Sequence, residues 1–192
     1  MSQINKLDRN FTLWLLTKVQ CQKKTIQWGQ DCHIDISAEN LHKVLGIPCG
    51  SLPVCGMEDD SAEEKLDFIR ICIGTGREED DEDDEKVYDS LEAAEFNVTR
   101  EYPNGMNRTE EEQFKVSFGV LLACKFLYPI AQPNSGSKLF WGALLDPNKI
   151  QLHNWSGFVA DSIIEAARKV QYILATKGVV SNVGGCSLAL QV

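Results

Sequence analysis

Apolar residues recur along most of this chain at the three-and-four spacing of an amphipathic helix, broken by one short stretch of alternation. Asp8 or Asn10 is placed to cap a first helix carrying Phe11, Trp14, Leu15 and Val19. The period then drops to two. Ile26 and Trp28 alternate with polar neighbours, Gly29-Gln30-Asp31 offers a turn, and Ile34 and Ile36 alternate again. That pattern predicts a small hairpin, which must pack on helices because two strands alone are marginal in water. Ser37 opens a short helix with Leu41, Val44 and Leu45. Gly46 is placed as its left-handed terminator, and Pro48 blocks continuation.

A loop from Cys49 to Asp60 follows. Ser61 and Glu64 have capping-box spacing ahead of a helix with Leu66, Ile69 and Ile73 on its main face, ended by Gly74 and Gly76. Val87, Leu91 and Ala94 predict a short helix, and Thr99 to Asn107 a loop. Thr109 and Glu112 form a second capping-box pattern before a helix through Phe114, Phe118, Leu121, Leu122 and Phe126, with Pro129 and Pro133 as stops. Its second half is apolar nearly all round, so it is expected at the centre of the fold. The last long helix starts near Asn154 and runs to about Thr176, with Phe158, Val159, Ile163, Ala166, Val170, Ile173 and Leu174 in phase and Gly178 closing it. The tail 179–192 has no period and is left unassigned. No internal repeat is present. The expected fold is mainly α: a single helical domain over 1–178 with a small N-terminal β-hairpin and an acidic, flexible insert at 77–86.

Composition and charge sharpen this. A chain of 192 residues, 43% of them hydrophobic, can bury one core without staples. The net charge of −9 comes from 28 acids against 19 bases, but Glu78, Glu79, Asp80, Asp81, Glu82, Asp83, Asp84 and Glu85 are consecutive. Without them the folded part is nearly neutral. Eight adjacent carboxylates are expected to be solvated, first as a mere linker and otherwise as the candidate surface for a basic partner such as a histone tail or a basic peptide. Lys18, Lys23 and Lys24, or Arg168 and Lys169, are small clusters beside the basic footprint that phosphates require, so direct nucleic-acid binding is not expected. Seven cysteines at irregular spacing and an N-terminus without an apolar leader place free thiols in a reducing compartment, hence an intracellular protein, nuclear or cytoplasmic. The sequons at Asn10, Asn97, Asn107 and Asn154 are then chance matches. Val116 to Leu127, the most apolar stretch, is too short to span a bilayer and contains Lys125.

Catalytic chemistry finds little purchase. A zinc site built from Cys21, Cys32, His33, Cys49 or Cys55 lacks a Cys-x-x-Cys core, and adjacent Cys32 and His33 on a strand point to opposite faces. Gly74-Thr75-Gly76 and Gly136-Ser137-Lys138 are incomplete phosphate-binding motifs. His33, His42 and His153 could each meet a cysteine in space, but no elbow or signature places one there. No cofactor is expected. Trp14, Trp141 and Trp155, with Phe11, Phe118 and Phe158, fall on apolar faces, where core packing is expected and a partner groove is the alternative.

Trp14-Leu15, the Ile34/Ile36 strand and the run from Leu41 through Leu45, Gly46, Ile47 and Pro48 to Gly50 resemble the plant mobile domain, the so-called aminotransferase-like domain of transposon-derived plant proteins. The second half agrees, with Leu121-Leu122-Ala123, Gly142 to Asp146, Asn154-Trp155 and Phe158-Val159; the resemblance spans roughly Phe11 to Val170. It implies a helical domain without established chemistry, often N-terminal to a SUMO-protease-like domain, and carries over no catalytic residue. Trp14, Leu45, Gly46, Ile47, Pro48, Gly142, Asn154, Trp155 and Phe158 are its motif residues, with structural roles. The expected function is a non-enzymatic protein-interaction module derived from a mobile element. The alternatives are a fragment of a SUMO-protease-like cysteine peptidase whose catalytic domain is absent, and a transposon-derived DNA- or chromatin-associated protein.

Overall fold

The computed structural model describes residues 8–56, 62–73, 91–129, 139–181 and 184–191. The acidic run, Ser61 with the side chain of Glu64, the glycines at 74 and 76, Val87, Pro133 and residues 136–138 lie outside them. The fold is mainly helical, with a small antiparallel sheet near the N-terminus. The chain divides into two compact units, one of residues 1–53, 126–131 and 152–192, the other of 54–125 and 132–151. Among the described residues no helix is long and apolar enough to cross a membrane.

In the first unit, helix α1 (Arg9–Lys18) starts where Asp8 accepts hydrogen bonds from the backbone N–H groups of Asn10 and Phe11, at 2.8 and 3.1 Å. Three strands follow, β1 (Val19–Gln20), β2 (Thr25–Gln27) and β3 (His33–Asp35), paired antiparallel in that order. The predicted hairpin is β2–β3, its turn closed by Trp28 N–H on the Cys32 carbonyl at 3.2 Å. Strand β1 was not predicted, because two residues continuing directly from a helix contain no period to read. Helix α2 (Ala38–Leu45) begins at Ser37, whose hydroxyl accepts from Asn40 N–H, and ends at Gly46 with φ +68°, as the pattern predicts.

The spine of this unit is the last long helix, α6 (Trp155–Lys177), whose bounds match the prediction closely. Val159, Ile163, Ala166, Ala167 and Val170 are buried along it, as are Ser156, Ala160 and Ser162, and α1 and α2 both pack on this helix. The Gln171 amide donates to the carbonyls of Leu16 and Val19 at 3.0 and 2.9 Å, satisfying acceptors at the end of α1. The unassigned tail holds a short helix, α7 (Ser187–Gln191), packed on α1 and α2. Gln191 bonds the Asp8 carbonyl and the Thr12 hydroxyl, so chain regions remote in sequence close on each other.

The second unit contains α3 (Ala62–Ile73), α4 (Leu91–Thr99) and α5 (Arg108–Leu122), the last continuing into a π-helical turn at Ala123–Leu127. A 3-10 turn, Trp141–Leu144, packs on α3 and α5. Helix α5 is central to this unit, since α3, α4 and that turn all gather on it. Ile69, Ile73, Val116, Val120, Phe140, Trp141 and Leu144 form the core. At Gly119 a Cβ would lie 2.7 Å from Leu144 Cδ2, so the turn packs closely on α5 there. The capping box lies two residues before the predicted Thr109/Glu112 pair. Asn107 accepts from Glu110 N–H at 3.0 Å while Glu110 accepts from Asn107 N–H at 2.9 Å. Asn is the stronger cap, and it leaves Thr109 inside the first turn.

Candidate functional site

Two motif segments more than a hundred positions apart meet in the first unit. The stretch after α2 runs beside the residues that open α6. Gly50 N–H donates to the His153 carbonyl at 3.2 Å, Leu52 N–H to the Leu152 carbonyl at 3.0 Å, and Asn154 N–H to the Leu52 carbonyl at 2.7 Å. The Pro48 carbonyl accepts from both the N–H and the hydroxyl of Ser156, at 3.0 and 3.2 Å. Asn154 then caps α6 by accepting from Gly157 N–H at 2.8 Å. A Cβ on Gly50 would fall 1.9 Å from the Leu152 carbonyl oxygen, so only glycine fits. The His42 ring lies 2.7 Å from the Ile47 carbonyl through Nδ1, tying α2 to the same seam. Trp155 is buried and meets Phe158 edge-on at 6.3 Å, and Phe158 in turn meets Tyr128. Here Pro48 and Asn154 hold the start of α6, Gly46 ends α2, and Trp155 is buried with Phe158 against its ring.

Trp14 does something else. The expectation that Phe11, Trp14 and Phe118 pack in the core is overturned, for Phe11 is 45% exposed, Trp14 46% and Phe118 47%, whereas Trp141 and Trp155 are buried as expected. Helical geometry explains α1. Thr12, Leu15, Leu16 and Val19 make one stripe and take the inward face, which leaves Phe11 and Trp14 on the flank. The two rings stack on each other at 5.9 Å with planes 14° apart, and Lys18 Nζ sits 5.6 Å from the centre of the Trp14 ring. Phe11, Trp14 and Lys18 are spaced three and four apart, so they form one continuous surface. From Arg9 to Gln30 the chain has four cations and no carboxylate. Of these, Arg9 is engaged by the carbonyls of Val180 and Ser181, and Lys24 pairs with Asp161 at 3.0 Å. Lys18 and Lys23 form no ion pair among the described residues.

Other features read as structural. Burial raises the thiols of Cys72 and Cys124 to about 11, Cys72 with a further contribution from the charge of Glu112. Cys186 is raised by burial too, partly offset by the N–H groups of Ala189 and Leu188, and it donates to the Phe126 carbonyl. Such thiols hold the unreactive protonated form. Asn97, which sequence reasoning passed over as a chance sequon, is buried and donates to the carbonyls of Cys72 and Ile73 that end α3, and to Ser117. Asn107 and Asn154 are helix caps. A cleft of about 480 Å³ opens at the α4–α5 loop. There the Arg100 guanidinium lies 4.7 Å from the Tyr102 ring centre, and 3.9 Å from Glu110, which with Glu101 outweighs its charge. Gly142 sits in the Trp141–Leu144 turn, where a Cβ would come 2.7 Å from the Cys55 carbonyl oxygen. Among the described residues no three His, Cys, Asp or Glu side chains gather as a metal site.

A family model for a domain of unknown function, DUF8566, matches residues 1–191. The chain belongs to the DUF8566 family. No curated protein and no solved structure matches it.

Proposed function

We propose that this DUF8566 chain is a non-enzymatic protein-interaction module and that the Phe11–Trp14–Lys18 surface of α1 is its docking face. The observation that carries the reading is the exposure of a stacked aromatic pair on a helix that already has a complete inward stripe. Tryptophan exposed in this way adds nothing to the core, and it is among the residues that dominate binding energy at interfaces. Pro48, Asn154 and Trp155 belong to the scaffold of the same unit. In this reading the resemblance to the plant mobile domain reflects a shared origin, and the protein acts inside the cell, in nucleus or cytoplasm.

The test is affinity capture on the tagged full chain, with nuclease present, followed by reconstitution with each captured protein after purification. Wild type should bind directly, and Phe11→Ser with Trp14→Ser should weaken that binding by about tenfold or more. Direct binding that ignores both substitutions would overturn the assignment of the face.

A further inference from the structure

We propose, resting on the α1 reading above, that the partner offers an acidic amphipathic peptide segment, its apolar side chains on Phe11 and Trp14 and its carboxylates on Lys18. Charge complementarity selects this class. The surface lies in a stretch from Arg9 to Gln30 with no carboxylate, in a chain whose net charge is −9. Lys18 sits over Trp14 and makes no ion pair among the described residues, so a cation flanks the aromatic pair. The spacing of Phe11, Trp14 and Lys18 along one helix face suits a short segment with apolar and acidic side chains interleaved.

Nucleic acid is the less suitable occupant. Phe11 stacks on the Trp14 ring and Lys18 Nζ lies 5.6 Å from its centre, so a base stacking there would compete with both. Lys18 and Lys23 are also a small footprint for a phosphate backbone.

The experiment is panning of a random displayed-peptide library against the full chain, with parallel selection on Trp14→Ser. Binding of the enriched peptides is then measured by fluorescence anisotropy, beside a single-stranded thymidine oligonucleotide. Sedimentation of the protein alone reads self-association. The expected result is enrichment of peptides combining Asp or Glu with large apolar residues. These should bind Trp14→Ser and Lys18→Glu about tenfold or more weakly, and the charge-reversed face should prefer Lys-substituted versions of the same peptides. Trp14-dependent peptides that are neutral or basic would overturn the acidic-segment proposal and leave the docking face standing. Enrichment that ignores Trp14, or none, would remove both. Tighter binding of the oligonucleotide, or a dimer lost in Trp14→Ser, would replace the acidic peptide with that occupant.

Discussion

Helices α1 and α6 lie in the same unit, pack on each other and carry aromatic and aliphatic residues in similar abundance, yet they use them oppositely. On α6, large residues alternate with Ala and Ser, so one wide face closes against its neighbours, and Trp155 disappears into it. On α1, apolar residues occupy more of the circumference than one neighbour can cover. Thr12, Leu15 and Leu16 go inward and the aromatic pair stays out. Apolar content alone therefore does not distinguish scaffold from surface; the width of the stripe, and the presence of small residues beside it, does.

The sharpest way to break this contrast is to truncate one tryptophan from each helix. Trp155→Ala should cost about 3–5 kcal/mol in urea unfolding of the full chain, as expected for a large buried aromatic. Trp14→Ala should cost less than about 1 kcal/mol, the value of a surface stacking contact. Similar losses at both positions would erase the distinction. Next in size, Gly50→Ala should cost about 2–3 kcal/mol, because its Cβ would meet the Leu152 carbonyl and must displace the seam that starts α6. Gly46→Ala, with open space around it and φ +68°, should cost only about 1–2 kcal/mol from backbone strain.

Alkaline pH tests burial in the second unit. Cys72 and Cys124 titrate near 11 in the folded chain against an ordinary value of 9. The unfolded chain loses these protons first, so the stabilisation is complete below pH 9 and is lost as pH rises to 11. Unfolding titrations should show a decline of roughly 2–3 kcal/mol per thiol over that window, flattened in Cys72→Ala/Cys124→Ala. Thiol labelling at neutral pH checks the same burial. The exposed Cys32, Cys49 and Cys55 should react in the folded chain, and Cys72, Cys124 and Cys186 only on unfolding.

Much of the fold was legible from local rules. Ser37, Gly46, Asn154 and Gly178 bound their helices as their chemistry dictates, since caps act over three or four residues and need no tertiary knowledge. The Asn107 box was missed because Thr109 offers the same spacing two residues later, and only the backbone decides between them. Strand β1 and the tail helix α7 depend on partners remote in sequence, as does the seam between Gly50 and His153. The candidate site was half legible. Trp14 stood out in the sequence, but periodicity assigned it to the core, because a one-dimensional pattern cannot say which of two adjacent apolar stripes finds a neighbour.

The most direct measurement is Trp14→Ser in the full chain, read in parallel by urea unfolding and by binding to a purified partner or panned peptide. A face that docks without supporting the fold predicts stability within about 1 kcal/mol of wild type and binding reduced about tenfold or more. A variant that unfolds, or one that binds as wild type does, would contradict it.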